Sequence, residues 1–274
     1  MFDMSAQYML SHESVIRIGL FSLVFALMAF WETRRPRRAS VLPKRLRWAN
    51  NLMLAFLSTF AVRLIFPFAA VGFAVLAEER SGGLMRAWTI PTPFAVLIAI
   101  VLLDMAIYIQ HILFHAVPAL WRFHRVHHAD PEFDVTTAMR FHPIELLLSM
   151  GIKGVAICAL GPPVLAVMIF EVLLNASSIF NHANVRLPSW LDRALRWVVV
   201  TPDMHRIHHS MERDETDSNF GFNLSVWDRI FGTYRSVARL PPETLAIGLR
   251  EFSDPARATK VLDLLMLPFA SLHR

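Results

Sequence analysis

Charge is scarce in this chain of 274 residues: Asp, Glu, Lys and Arg together make up 18% of it, against roughly 25% in an ordinary soluble domain. The shortage excludes a disordered segment, which needs high charge and low hydrophobicity. It also leaves too little polar surface to cover a water-soluble globule. Cysteine is nearly missing. The single Cys158 excludes a disulfide framework and a thiolate zinc finger. What fills the chain instead is apolar: 55% of residues are hydrophobic, and the mean hydropathy is +0.43. The net charge of +5 fits a membrane protein with one basic face. It does not fit a nucleic-acid binder, whose basic residues would sit on a soluble domain. Histidine is the outlier. Ten of the 12 lie between His111 and His209, where even spacing would place about four.

Runs of about 18 or more apolar residues can cross a bilayer core of roughly 30 Å as helices. The first is Val15–Trp31, with Arg17 near its end and able to snorkel to the headgroups. Asp3 and Glu13 precede it, so it reads as a retained anchor rather than a cleaved signal. Thr33–Asn50 carries seven Arg and Lys and no acid. The positive-inside rule places it in the cytoplasm and the N-terminus outside. The second span is Leu52–Ala77, with a kink expected at Pro67. The loop Glu78–Thr89 returns the chain to a third span, Pro93–His111, which holds the costly carboxylate Asp104. Leu146–Phe180 is longer than one span and is broken at Gly161-Pro162-Pro163. It reads as one long kinked helix or as a hairpin, and the hairpin is preferred because it keeps His142 and His182 on one side. Beyond His182 the chain is more polar. Pro188–Val200 and Val261–Leu272 read as amphipathic helices, either lying in the interface or packed on a cytosolic cap. The expected fold is an all-α integral membrane protein. It has about four transmembrane helices, one pair of them able to form a re-entrant hairpin. A cytoplasmic helical cap carries the histidines, and residues 1–274 form a single domain.

The histidines fall into a pattern. His111-Ile-Leu-Phe-His115 is an HxxxH, and on a helix its two imidazoles share a face. His124-Arg-Val-His127-His128 and His205-Arg-Ile-His208-His209 are two HxxHH groups. Within each, the first and last histidines are four apart, and neighbours diverge by about 100°, which suits two metals rather than one. With His142 and His182 there are ten candidates, enough for two metals of four or five ligands each. His12 and His273 stand alone and read as ordinary surface or packed residues. All-imidazole ligation suits Fe, Zn, Cu or Ni. Two non-haem irons best match ten histidines at one membrane face, with zinc a possible substitute in purified protein. Such a centre can activate O2 and attack an unactivated C–H bond of a lipid that never leaves the bilayer. A histidine-rich metal transporter is the alternative, but it would spread ionisable residues through mid-bilayer on several helices.

The order HxxxH, HxxHH, HxxHH resembles the fatty acid hydroxylase / sterol desaturase superfamily of membrane di-iron enzymes. Asp104 and Tyr108 before His111 resemble its D-x3-Y-x2-H-x3-H segment, and Phe141-His142-Pro143-Ile144-Glu145 resembles its HPxE element. Asn219-Phe220-Gly221 and Trp227-Asp228-Arg229-Ile230-Phe231-Gly232-Thr233 resemble its closing NxG…WDRxFGT stretch. The resemblance covers about Asp104 to Tyr234. One departure is Ile112, where many members have Arg after the first histidine. The resemblance implies a membrane oxidoreductase that uses iron, O2 and electrons from an external carrier protein to hydroxylate or desaturate a lipid, fatty acyl chain or sterol-like substrate. It implies His111, His115, His124, His127, His128, His205, His208 and His209 as ligands. His182 completes the set, and His142 is either a ligand or a neighbour of one. A member that has lost its chemistry would be expected to lack some of these histidines, and none is missing.

Around the metals, Asp104 is expected to orient a ligand from another group, or to pair with Arg63. Tyr108, Glu145 and Asp228 are expected near the ligands, with ion pairing to nearby arginines as the alternative for the two acids. Asn219 holds a turn or hydrogen-bonds a ligand, and Asn181 and Asn184 carry the same choice. The basic stretch Arg34–Arg47 fixes topology and touches anionic lipid, or docks an acidic electron carrier. The compact loops suggest a bacterial inner membrane, with an internal membrane of a eukaryotic cell as the alternative. The oligomeric state, the lipid and the carbon attacked are not legible.

Overall fold

The computed structural model describes residues 11–87, 90–252 and 254–271. Asp3, Thr89, Leu272 and His273 lie outside them. Among the described residues the fold is helical, with isolated bridges and no strands. The helices are α1 (Glu13–Arg34), α2 (Lys44–Ile65), α3 (Ala69–Glu79), α4 (Thr92–Ala116), α5 (Pro118–His128), α6 (Pro143–Leu160), α7 (Val164–His182), α8 (Ser189–Leu195), α9 (Pro202–His208), α10 (Arg213–Thr216), α11 (Val226–Ile230), α12 (Pro255–Ala258) and α13 (Val261–Met266).

Five segments are long and apolar enough to cross a membrane: α1, the α2–α3 stretch, α4, α6 and α7. The chain is a multi-pass membrane protein. The expected all-α membrane fold of about four spans is met with five candidate spans, the Gly161–Pro163 break dividing one run into two helices that each suffice. Gly161 closes α6 in the left-handed region (φ 60), and Pro162-Pro163 prevents continuation. The alternative of one long kinked helix is thereby replaced by the hairpin. Its turn is pressed against the α3–α4 loop: a Cβ on Gly83 would lie 2.3 Å from the Gly161 nitrogen. The hairpin thus reaches the bundle end opposite the histidines, and α6 alone, 18 residues long, spans about 27 Å.

The second span is also divided. Pro67 stops α2 at Ile65, and α3 restarts at Ala69. Outward faces of the spanning helices carry Leu23, Leu27, Phe30, Phe56, Phe60 and Leu97, all exposed, as lipid-facing residues should be. Inside, Ala70, Ala74, Leu103, Ile107, Ile157 and Phe170 pack α3, α4, α6 and α7 together. Helix α1 lies along α7 through Phe21, Phe25 and Met28, next to Ile179.

The cap is tied to the spans by buried charge. Arg47 is 1% exposed and donates to Asp130 and Asp134 at 2.8 and 2.6 Å. Arg140 donates to Asn51 and to the Val126 and Ala258 carbonyls. Burial alone would raise Asp130, but the guanidinium groups of Arg47 and Arg140 override it and hold the carboxyl at about 2. Arg37 pairs with Asp203 and Glu243. The basic stretch is therefore largely internal wiring, and not a uniform lipid-facing patch. Of the two expected amphipathic segments, the first shortens to α8 and exposes Trp190 and Trp197. The second, α13 with the turn after it, packs Leu264 and Leu267 against Trp121 and Val126.

Candidate metal centre

Four helices deliver the histidines to one end of the bundle. His111 and His115 occupy the last two turns of α4, and His182 the last residue of α7. Pro118 at the first turn starts α5, which carries His124, His127 and His128. Thr201 caps α9 through Met204 N–H, and α9 places His205 and His208, with His209 following.

These side chains form two groups. In His111, His115, His124, His128 and His208, the potential ligand atoms all lie within 4.8 Å of one another, and the same holds for His127, His182, His205 and His209. All nine side chains are buried. Residues four apart stay together, as the helical period requires: 111 with 115, 124 with 128, 205 with 209. Neighbours separate, 127 from 128 and 208 from 209.

Hydrogen bonds fix which nitrogen faces inward. His111 Nδ1 donates to the Phe220 carbonyl at 2.8 Å, His208 Nδ1 to the Ser218 carbonyl at 2.8 Å, and His182 Nδ1 to the Ser178 carbonyl at 2.7 Å. A carbonyl only accepts, so the proton sits on Nδ1 and Nε2 presents a lone pair. Carboxylates serve two others: Glu145 Oε1 lies 2.5 Å from His124 Nδ1, and Asp217 Oδ1 lies 3.3 Å from His115 Nδ1.

The nitrogens facing the centres have little else to bind. His128 Nε2, His208 Nε2 and both ring nitrogens of His209 are buried without a hydrogen-bond partner. His182 Nε2 lies 3.1 Å from His127 Nε2 and 3.0 Å from His205 Nε2, so three ring nitrogens converge on one point. Burial, and then the neighbouring imidazoles, push His127, His128, His205, His208 and His209 well below the usual imidazole range. They are held neutral, the form that ligates metal. Orphaned neutral imidazoles at this density fit metal ions and fit little else.

Other predicted residues take different places. His142 belongs to neither group: its Nδ1 accepts from Ile144 N–H as the cap of α6, and its Nε2 lies 3.3 Å from the Leu265 carbonyl. Asp104 touches no histidine and does not pair with Arg63. It accepts from Asn223 N–H and side chain, Leu224 N–H and Trp227 Nε1, and so ties α4 to α11 and the loop before it. That correction reflects an aspartate whose lone pairs are filled by a segment over a hundred residues away. Asp228 accepts from Phe220 N–H, Gly221 N–H and Thr233 Oγ1, holding the residue whose carbonyl orients His111. Tyr108 bonds Thr233 at 2.8 Å and stacks on Phe231. Asn219, at φ 52, donates to the Met204 and Arg235 carbonyls and holds a turn. Asn181 donates to the Phe222 carbonyl, and Asn184 accepts from Arg38 N–H. The sequence reading missed the three backbone carbonyls, which have no residue signature, and Asp217, which stands two residues from the singled-out Asn219.

A cavity of about 290 Å³ enters the spans from this site. His111 and His124 of the first group line it, with His127 and His205 of the second, and so do Phe114, Phe141 and Phe222.

Fold and site together define a multi-pass membrane protein with a buried, all-imidazole double centre facing an intramembrane cavity. Residues 96–233 match the family described as fatty acid hydroxylase. The ornithine lipid hydroxylase OlsE of Rhizobium tropici is 30% identical over 239 residues, 86% of this chain and 69% of that protein. The alkylglycerol monooxygenase of Xenopus tropicalis is 34% identical over 48% of this chain and 28% of its own length. The cholesterol 25-hydroxylase of Mus musculus is 32% identical over 57% of this chain and 51% of its own length. No solved structure matches. The chain belongs to the fatty acid hydroxylase family and is a membrane-bound oxidoreductase.

Proposed function

We propose that this protein hydroxylates a C–H bond of a membrane lipid with O2, using two non-haem iron ions. His111, His115, His124, His128 and His208 hold one ion, and His127, His182, His205 and His209 hold the other. The observation that carries this reading is the pair of buried imidazole groups within 4.8 Å, opening on a cavity enclosed by the spanning helices.

Iron bound there supplies O2 activation and oxidation of an unactivated C–H bond. The chain does the rest. The carbonyls of Phe220, Ser218 and Ser178 keep the Nδ1 protons of His111, His208 and His182 in place, so that each Nε2 stays a ligand. Glu145 orients His124. Phe114, Phe141 and Phe222 line the cavity with apolar surface that excludes water and receives a lipid chain. In balance, one oxygen atom enters the C–H bond and the other leaves as water. Two electrons come from a separate electron-transfer protein, and two protons from solvent.

Hydroxylation is favoured over desaturation because the three relatives above are hydroxylases or monooxygenases acting on lipids. The site faces the cytoplasm of a bacterial cell in this reading. Exposed Arg34 and Arg35 at the histidine end support that orientation, and so does the extent of the match to the Rhizobium protein. Those arginines and Arg186 line a shallow cleft that suits an acidic carrier.

The test is metal content of protein from iron-replete cells. About two irons per chain are expected, retained in His142→Ala and lost in His127→Ala/His208→Ala. Absence of stoichiometric metal contradicts the reading.

A further inference from the structure

The hairpin that reaches away from the metal centre is not apolar inside. Lys153 on α6 and Glu171 on α7 are 9% and 4% exposed and bond at 2.5 Å, and both line the cavity. Arg17 of α1 bonds the other Glu171 oxygen at 3.1 Å, and Glu13 in turn pairs with Arg17. Between this cluster and the histidines the mainly apolar cavity wall also carries polar side chains: Ser149 is one turn above Lys153, Asn175 one turn above Glu171, and Gln110 donates to Ser149 at 2.9 Å. Gln110 Oε1 is buried without a partner. A buried ion pair is a weak source of stability and a costly one inside a bilayer. Here the pair faces the cavity.

We propose that the Lys153–Glu171 pair is a specificity site that binds a neutral hydrogen-bonding group, such as a hydroxyl or amide, on the lipid substrate. This rests on the cavity being the lipid site. The pair offers a donor and an acceptor side by side. The four charges in contact, Lys153, Glu171, Arg17 and Glu13, balance, and Arg63, which also acts on Glu171, is exposed and outside the cavity lining, so the pair selects polarity rather than charge. The distance to the metals then sets the site of oxidation. Lys153 lies eight residues along α6 from Glu145, about 12 Å, and Glu171 eleven residues along α7 from His182, about 16 Å. An extended carbon chain of roughly ten to thirteen bonds covers that span. The pair would hold the polar group while a carbon that far along the chain meets the histidines.

The test uses purified full-length protein in amphipol and measures apparent Kd by thermal-unfolding shift for tetradecane, 1-tetradecanol and tetradecanoate. Wild type is expected to bind the alcohol at least about tenfold more tightly than the alkane, the range of one hydrogen bond to a charged group, and more tightly than the carboxylate. Lys153→Met/Glu171→Leu removes both charges together. It is expected to erase the preference for the alcohol while tetradecane affinity stays within about twofold, which also reports an intact cavity. Glu171→Gln is the second variant. It leaves Lys153 without its counter-charge, while Arg17 keeps Glu13, and is expected to move the preference to tetradecanoate, a swap that a purely structural role does not produce. Equal binding of all three ligands to wild type overturns this inference and leaves the lipid-site reading standing. Binding of none overturns both. A wild-type preference for tetradecanoate, or an order unchanged in both variants, also overturns it.

Discussion

His127 and His128 are consecutive residues whose rings stand at 88° with centroids 5.5 Å apart, and each belongs to a different imidazole group. His208 and His209 repeat the relationship at 81° and 5.5 Å. The turn of about 100° per helical residue makes adjacent histidines serve two centres and histidines four apart serve one. Each HxxHH group thus contributes to both imidazole groups, the first from α5 and the second from α9 and the residue that follows it.

The division has a measurable consequence. His128→Ala truncates only the five-histidine group, and His209→Ala only the four-histidine group. Each is expected to lower metal content towards one ion per chain, and the double variant towards none. Elemental analysis of the three proteins checks this. Retention of two ions in both single variants would contradict the division.

Glu145 holds His124 through a 2.5 Å contact and sits in the first turn of α6, beside the cap residue His142. Glu145→Leu leaves His124 free to rotate. Metal affinity measured against a competing chelator is expected to fall about 10–100-fold, with helix content unchanged by circular dichroism. A variant that binds metal as tightly as wild type would show that the contact does not orient the ligand.

Asp228 predicts a pH signature outside the membrane spans. Burial raises its carboxyl to about 6, with the hydrogen bonds from Thr233, Gly221 and Phe220 pulling the other way. The folded protein keeps this proton up to about pH 6, whereas the unfolded chain releases it near 4. The stabilisation is therefore full below pH 4 and lost as pH rises to 6, by up to about 3 kcal/mol. The stability of wild type minus that of Asp228→Asn should fall by that order between pH 4 and 6. A flat or rising difference in denaturant titrations would contradict the assignment.

Much of this was legible in the sequence, for a physical reason. Histidine spacing maps onto helical geometry, so the HxxxH and HxxHH groups carried their own partition between two centres. Gly161-Pro162-Pro163 marked a break through backbone chemistry, and keeping His142 and His182 on one side favoured the hairpin over one long kinked helix. Other features depend on contacts that spacing cannot encode. Asp104 finds its partners in Asn223, Leu224 and Trp227, far along the chain. Arg47 looked like one charge in a basic loop, yet it is buried on Asp130 and Asp134. Lys153 and Glu171 were hidden inside a run that averages to apolar, and only folding back at Gly161 brings them together. His142 matched a motif, while its ring caps a helix instead of joining either group.

The double histidine centre is proposed to insert oxygen into a lipid. The most direct measurement supplies isotopically labelled O2 to membranes containing the protein and a reducing system, and follows the lipids by mass spectrometry. One labelled oxygen atom per modified lipid is predicted for wild type, with at least about a hundredfold loss in His127→Ala/His208→Ala. Label that appears equally with the variant, or a wild-type product whose oxygen comes from water, would contradict the account.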